Sequence, residues 1–225
     1  MRLMRTLAHS FILFFLASSS WATHSIAQKQ FVKSVKQQAP HLKKRVLRLA
    51  WRAYQHLQHQ HLDSQHLITI IDYSMPSSKK RLWVINANND HVLFHTLVAH
   101  GKQSGQLYAK HFSNKRHSHA TSLGVFLTGH TYQGKHGYSL KLRGLEPHFN
   151  GNTFKRHVVI HSAWYVSQDL LHKQNRLGRS WGCPALSKKK EPQVVNTIKN
   201  GTMIFAYYPK KQWLNNSRYL QPVSA

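Results

Sequence analysis

A lone thiol and a histidine closing an apolar run are the residues of this chain best suited to do chemistry. Cys183 is the only cysteine among 225 residues, set in Arg176-Leu177-Gly178-Arg179-Ser180-Trp181-Gly182-Cys183-Pro184-Ala185-Leu186. Upstream, Val158-Val159-Ile160 ends in His161. A thiol attacks a carbonyl as its thiolate; its free pKa of about 8.5 is lowered by cations or by a histidine that takes the proton. Arg176 and Arg179 are the cations nearest in sequence, and a histidine at a strand end can be held rigidly with its ring facing a cleft. Acyl transfer also needs donors aimed at the developing oxyanion. The backbone N–H groups of Gly182 and Cys183 suit that role, because glycine lets a substrate approach the chain. Taken singly, a cysteine is more often a buried spectator and a histidine a satisfied core residue. The Gly-Cys-Pro context is a poor place for core packing, which favours a working thiol with His161 as its base. Catalytic zinc needs three ligands in fixed geometry, and neither HExxH nor Cys-x-x-Cys is present, so no metal or other cofactor is expected.

The elements that must position these groups read as strands behind a helical prefix. From Phe31 to about Leu62 the chain is polar, basic and helix-periodic, with Val46, Leu49, Ala50, Ala53 and Leu57 forming one apolar stripe. Pro40 divides a first short helix from the main one. The His/Gln run Gln55–Leu62 reads as a solvated helix end. Leu67–Tyr73, Arg81–Asn86 and His91–Val98 read as a meander of three strands with turn residues between them. Gly101 to about Ser122 reads as long loops with little core. Further strands are predicted at Leu123–Thr128, Tyr138–Leu142, His157–His161 and Thr202–Tyr208. Gln193–Lys199 reads as a short helix, and Trp164–Lys173 as a short helix or ordered loop. No βαβ rhythm appears, which argues against a doubly wound sheet. The organisation expected is a helical prefix at 28–64, a strand-rich domain at 65–210 and a C-terminal tail at 211–225.

Composition bounds the setting. The chain carries 32 Lys+Arg against 6 Asp+Glu, a formal charge of +26, and 19 histidines. Such a surface attracts polyanions and repels itself. The basic residues are spread along the chain, with no zinc-finger or RNA-binding signature, so no specific nucleic-acid partner is expected. Residues 1–22 read as a secretory signal: a basic lead, the apolar Phe11–Ala17, and Ser20-Trp21-Ala22 as a cleavage site, with Ser25-Ile26-Ala27 as a second candidate. The alternative is an uncleaved anchor. No later stretch approaches about 18 apolar residues, so no transmembrane segment is expected after signal removal. In an exported, oxidising compartment a single cysteine cannot form an internal disulfide, which strengthens the reading of a free thiol.

At these residues the chain resembles a family. His161-Ser162-Ala163 followed by Gly178-Arg179-Ser180-Trp181-Gly182-Cys183-Pro184 resembles the L,D-transpeptidase signature, most closely the branch of murein L,D-transpeptidase catalytic domains with a Gly-Arg-Ser-Trp-Gly-Cys-Pro box. The resemblance runs from about Leu67 to Tyr208. It takes in Val98-Ala99-His100-Gly101-Lys102, Phe112-Ser113-Asn114, Ser122-Leu123-Gly124 and His136-Gly137-Tyr138-Ser139-Leu140. It implies a mostly β fold, a sandwich or barrel with a few short helices, and a Cys183/His161 acyl-transfer site acting on peptidoglycan stem peptides. Cys183 would attack the carbonyl of a diaminopimelate residue at its L-centre, expel the terminal D-alanine, and pass the acyl group to a second amine. Ser162, or a backbone carbonyl, would orient the imidazole. Arg179 is either the partner of a stem carboxylate or a turn residue. Ser180, Trp181, Ser162, Tyr138 and Ser122 are further substrate-binding candidates. Trp181 stands where the larger family has histidine, which leaves the oxyanion to backbone donors. The interval between His161 and Cys183 is slightly stretched by Leu171–Asn175.

Two other readings remain open at the level of sequence. Water could take the acyl group, making a wall carboxypeptidase or peptidase of the same site. Alternatively the protein could be a non-catalytic secreted polycation that binds anionic envelope polymers. The expected location is in either case the periplasm or cell envelope.

Overall fold

The computed structural model describes residues 25–63 and 65–222; the expected signal segment at 1–22 lies outside them. Eight strands form one sheet in the order β3-β2-β1-β8-β4-β5-β6-β7. Its centre is β1 (Leu67–Asp72) beside β8 (Met203–Tyr207), both buried along their whole length. Their near-continuous runs of Ile, Phe, Met and Ala suit strands covered on both faces, and they pair in parallel. β2 (Leu82–Asn86) and β3 (His91–Thr96) extend one side as an antiparallel meander. β3 alternates exposed and half-buried residues, as an edge strand does. The other side carries β4 (Gly124–Gly134), β5 (Gly137–Gly144), β6 (Val159–Ser162) and the two-residue β7 (Ala185–Leu186). Ala99, just past β3, bridges Ala185 of β7, with its N–H donating to the Ala185 carbonyl at 2.9 Å, so the two edges of the sheet nearly close into a barrel.

The helical prefix shares the sheet's core. α1 (25–38) contributes Phe31, Val32 and Val35; a turn at 39–43 follows, and α2 (Lys44–His59) contributes Val46, Leu47, Ala50, Ala53, Tyr54 and Leu57. The buried face of α2 is turned slightly from the stripe read in sequence. Leu47 and Tyr54 are inside, and Leu49 is only partly covered, because α2 lies across β1, β8 and a 3₁₀ turn at Arg218–Leu220. That turn corrects another expectation. Residues 211–222, expected as a C-terminal tail, pack on the core: α5 (Lys211–Asn216) and the turn bury Trp213 and Tyr219 completely. Trp213 Nε1 donates to the buried Glu146 carboxylate at 3.1 Å, and the same carboxylate accepts the Val125 N–H at 2.7 Å. β4 and β5 also run beyond their expected bounds, as a polar hairpin whose tip is Lys135-His136.

Candidate active site

The site is built by the one short parallel crossover after β6. Chain leaving β6 forms α3 (Gln168–Gln174), capped by Ser167 Oγ accepting the Leu170 N–H at 3.3 Å, and returns as β7. β6 and β7 run parallel with His161 opposite Ala185. That register sets Cys183, two residues before Ala185, beside Val159, two residues before His161. Val159 N–H meets Cys183 Sγ at 3.5 Å, and the thiol points to the His157 carbonyl at 3.7 Å. Val159 and His161 share a face of the strand. His161 is buried, and its Nδ1 lies 2.8 Å from the Ser162 carbonyl. That contact makes Nδ1 the donor and leaves Nε2 as the basic nitrogen. The orienting group is thus the backbone oxygen of Ser162. The sulfur and imidazole share no hydrogen bond in this resting arrangement; such contacts commonly tighten only when substrate binds.

The turn carrying the thiol is fixed from both sides. Ser180 Oγ donates to the Cys183 carbonyl at 2.6 Å and accepts the Gly182 N–H at 3.0 Å. Ser180 N–H donates to the His100 carbonyl at 3.0 Å, and Lys102 N–H to the Ser180 carbonyl at 2.7 Å. Gly182 has φ +123°, and a Cβ there would lie 2.9 Å from the Ala120 carbonyl oxygen. Gly101 packs so closely that its Cβ would be 2.9 Å from Gly182 Cα. The 101–122 segment therefore wraps the turn and is partly buried, at Ser104, Ala109, Thr121 and Ser122. His100 is its buried post: Arg81 Nη2 donates to Nδ1 at 2.7 Å, and Nε2 faces the Gly105 carbonyl at 3.3 Å. Burial, then Arg81, lowers the His100 pKa to about 3, so the ring is neutral.

Several sequence-based assignments change. The Gly182 N–H, expected in the oxyanion hole, is engaged by Ser180. The Cys183 N–H has no protein acceptor among the described residues and remains available. Ser180 is buried and its hydroxyl is spent on holding the turn. Ser122 is buried as well, donating to the Ser113 carbonyl at 2.9 Å. Tyr138 hydroxyl donates to Asn196 Oδ1 at 2.8 Å, tying β5 to α4 (Glu191–Ile198). Arg179 donates to the Lys102 and Gly105 carbonyls, each at 3.3 Å, as a turn residue would. Trp181 is 69% exposed beside the thiol, with one face stacked on His119 at 4.7 Å.

The cations that act on the thiol are distant in sequence. Arg156, in the turn before β6, donates to the Ser113 carbonyl at 2.7 Å, Ser122 Oγ at 2.5 Å, Ser118 Oγ at 3.1 Å and the Ala120 carbonyl at 2.6 Å. A Cβ on Gly182 would be 3.2 Å from its Nη2. Burial pushes the Cys183 thiol up, opposed by the Val159 N–H, then Arg156, then Lys135. The expectation of a depressed thiol pKa is thus overturned for the resting site, because burial outweighs the cations. His161 is lowered by burial first; the Ser162 carbonyl opposes this, and His136 adds to it. His136, at the β4–β5 tip, stacks on His161 at 4.6 Å. Burial and then Cys183 hold the Tyr165 hydroxyl at about 12. Arg156 and Lys135 were hidden in sequence, since nothing sets them apart among so many basic side chains, and His136 stood in a motif of the resemblance without a role of its own. Among the described residues no group of three His, Cys, Asp or Glu side chains stands where it could hold a metal.

A mostly β sheet with a half-buried thiol on the turn entering β7 and an oriented imidazole on the neighbouring β6 defines a cysteine-centred site, and the family follows from the chain itself. The profile of the L,D-transpeptidase catalytic domain matches residues 38–207, and the chain belongs to this family. Among solved structures it is similar to an L,D-transpeptidase from Mycobacterium smegmatis, at 13% identity and TM-score 0.40, over 64% of this chain and 59% of that one. The L,D-transpeptidase of Xylanimonas cellulosilytica matches at 15% identity and TM-score 0.36, over 64% and 62%. The structure of Bdellovibrio bacteriovorus Bd1075 matches at 14% identity and TM-score 0.38, over 66% of this chain and 49% of that one. The matches span less than two thirds of those chains. Comparison with curated proteins gives no match.

Proposed function

We propose that this chain is an exported enzyme that transfers acyl groups between peptidoglycan stem peptides through a thioester on Cys183. The observation that carries the reading is the parallel β6–β7 register, which sets the thiol beside Val159 on the strand that presents His161 Nε2. The thiol turns from the His157 carbonyl toward the imidazole and gives its proton to Nε2 as sulfur attacks the donor carbonyl. The oxyanion meets the Cys183 N–H in the field of Arg156. Collapse breaks the C–N bond, His161 returns the proton to the departing D-alanine amine, and a thioester remains. The amine of a second stem then attacks, loses its proton to His161, and frees the thiol. Carboxylates along the stems fit the cationic surroundings. The basic lead and apolar run of residues 1–22 support export to the periplasm or envelope.

Incubating purified muropeptides with the wild type and with Cys183→Ala tests this by product mass. Cross-linked dimers from the wild type alone are expected. Trimmed monomers alone would replace the amine acceptor with water, and no product from either protein would sink the enzyme reading. Carbapenems present a strained carbonyl to such a thiol, so intact-mass measurement should find one adduct, lost in Cys183→Ala.

A further inference from the structure

Away from the thiol, α1 and α2 enclose a groove of about 300 Å³ whose walls carry Lys29, Lys33 and Lys36 from α1 and Lys44 and Arg48 from α2, over Val32. No acidic side chain lines it. The spacing is deliberate in one physical sense: i, i+4 and i, i+3 neighbours share a helix face, and like charges there cost helix stability. The three lysines of α1 occupy such a row, and Lys44 and Arg48 form a second across the groove. α2 adds to the imbalance, since its N-cap is Lys43 without a side-chain cap and its first turn holds no acid. A helix start is a poor place for cations unless an anion accompanies them. Gln28 Nε2 ties the walls by donating to the Arg48 carbonyl at 3.2 Å, and Lys36 Nζ donates to the Pro40 carbonyl in the turn between the helices. Lys29, Lys33 and Lys36 lie before the residues matched by the family profile, while Lys44 and Arg48 fall within them, so the groove straddles the start of the matched region.

We propose that the α1–α2 groove is a binding site for a multiply charged phosphate group, with two cationic rows meeting one compact anion and Val32 beneath it. Five cations around one concavity match a diphosphate better than a single carboxylate, and a phosphate suits the point charge of lysine. The inference does not rest on the reaction proposed for Cys183, and its readout is binding.

The test uses the full chain with inorganic pyrophosphate, followed by calorimetry at fixed ionic strength. One saturable site is expected. Lys29→Gln/Lys33→Gln/Arg48→Gln should weaken it at least tenfold, while a control removing as many charges elsewhere, Lys188→Gln/Lys189→Gln/Lys190→Gln, changes it less than twofold. Both sets are exposed, and cleavage or cross-linking of muropeptides should be the same in all three proteins. Equal losses in the two triple variants, or no saturable binding by the wild type, would overturn the proposal in favour of diffuse surface charge. Vesicles containing phosphatidylglycerol, compared with phosphatidylcholine alone, then distinguish the source. Recruitment lost in the groove variant assigns the phosphate to a lipid headgroup; pyrophosphate binding without recruitment assigns it to a soluble or polymeric phosphate.

Discussion

Burial raises the pKa of the half-buried thiol and lowers that of the imidazole near it, so both directions favour the neutral pair at rest. Their pH behaviour follows from those directions. His161 has a folded pKa below the ordinary 6.5, so the ring stays a base below that pH, and kcat/KM should hold through 6.5 and fall only on further acidification. His136 contributes to the lowering. His136→Ala should therefore move the acid limb upward, and an unmoved limb would show that the stacked ring has no electrostatic role. His161→Gln should cost about a hundred- to ten-thousand-fold in turnover if the ring is the general base. Arg156 acts on the thiol by its charge, which favours the thiolate and opposes the effect of burial. Arg156→Gln should shift the midpoint of iodoacetamide alkylation of Cys183 to higher pH, while Arg156→Lys should stay nearer the wild type. A purely structural Arg156 would leave both midpoints alone in proteins that remain folded.

At the scale of elements, the parallel β6–β7 pair brings thiol and base together, and the Ser180 turn sets the direction of the thiol. Gly182→Ala would put a Cβ 2.9 Å from a backbone oxygen at a φ of +123°. The turn must then move, and acyl-enzyme formation should fall by more than tenfold, read as carbapenem adduct per minute. The C-terminal element is part of the core. Trp213→Ala should lower unfolding stability by about 3–5 kcal/mol, measured by urea denaturation, because it empties a buried site and removes a donor from Glu146. A near-neutral result would mean that residues 211–222 are dispensable after all.

For the whole molecule the unusual feature is the placement of the acids. Of the six, Asp63, Asp72, Glu146 and Glu191 are buried, leaving Asp90 half-buried and Asp169 exposed. Asp63 accepts the N–H groups of Gln65, His66 and Met203, and so joins the starts of β1 and β8. The surface is consequently almost purely cationic, and self-repulsion should make the melting temperature rise as salt increases from low ionic strength. Buried His100 gives a pH term of known sign. Its folded pKa of about 3 lies below its unfolded value, so its neutral form contributes fully above about pH 6.5 and progressively less as pH falls toward 3, by up to about 1.4 kcal/mol per pH unit. His100→Asn keeps an acceptor for Arg81 and cannot titrate. The variant and the wild type should therefore converge in stability, or cross, between pH 6.5 and 4.

The sequence by itself determined the strands, the helical prefix and the two residues proposed to react, because hydrophobic period and a Gly-Cys-Pro box are local properties. β1, β2, β3 and β8 fall within a residue or two of their expected bounds for that reason. Local pattern has no access to which distant groups meet. The pairing of β6 with β7 across α3 placed the thiol. Packing around the turn took the Gly182 N–H for Ser180, and loop 101–122 and the turn before β6 brought Arg156 to the sulfur. The burial of Trp213 depended on a partner carboxylate far upstream in the chain. These outcomes belong to tertiary structure because a side chain's protonation and free donors are set by what surrounds it in space, and in a chain with 32 cations only folding selects the one that lies against the thiol's turn.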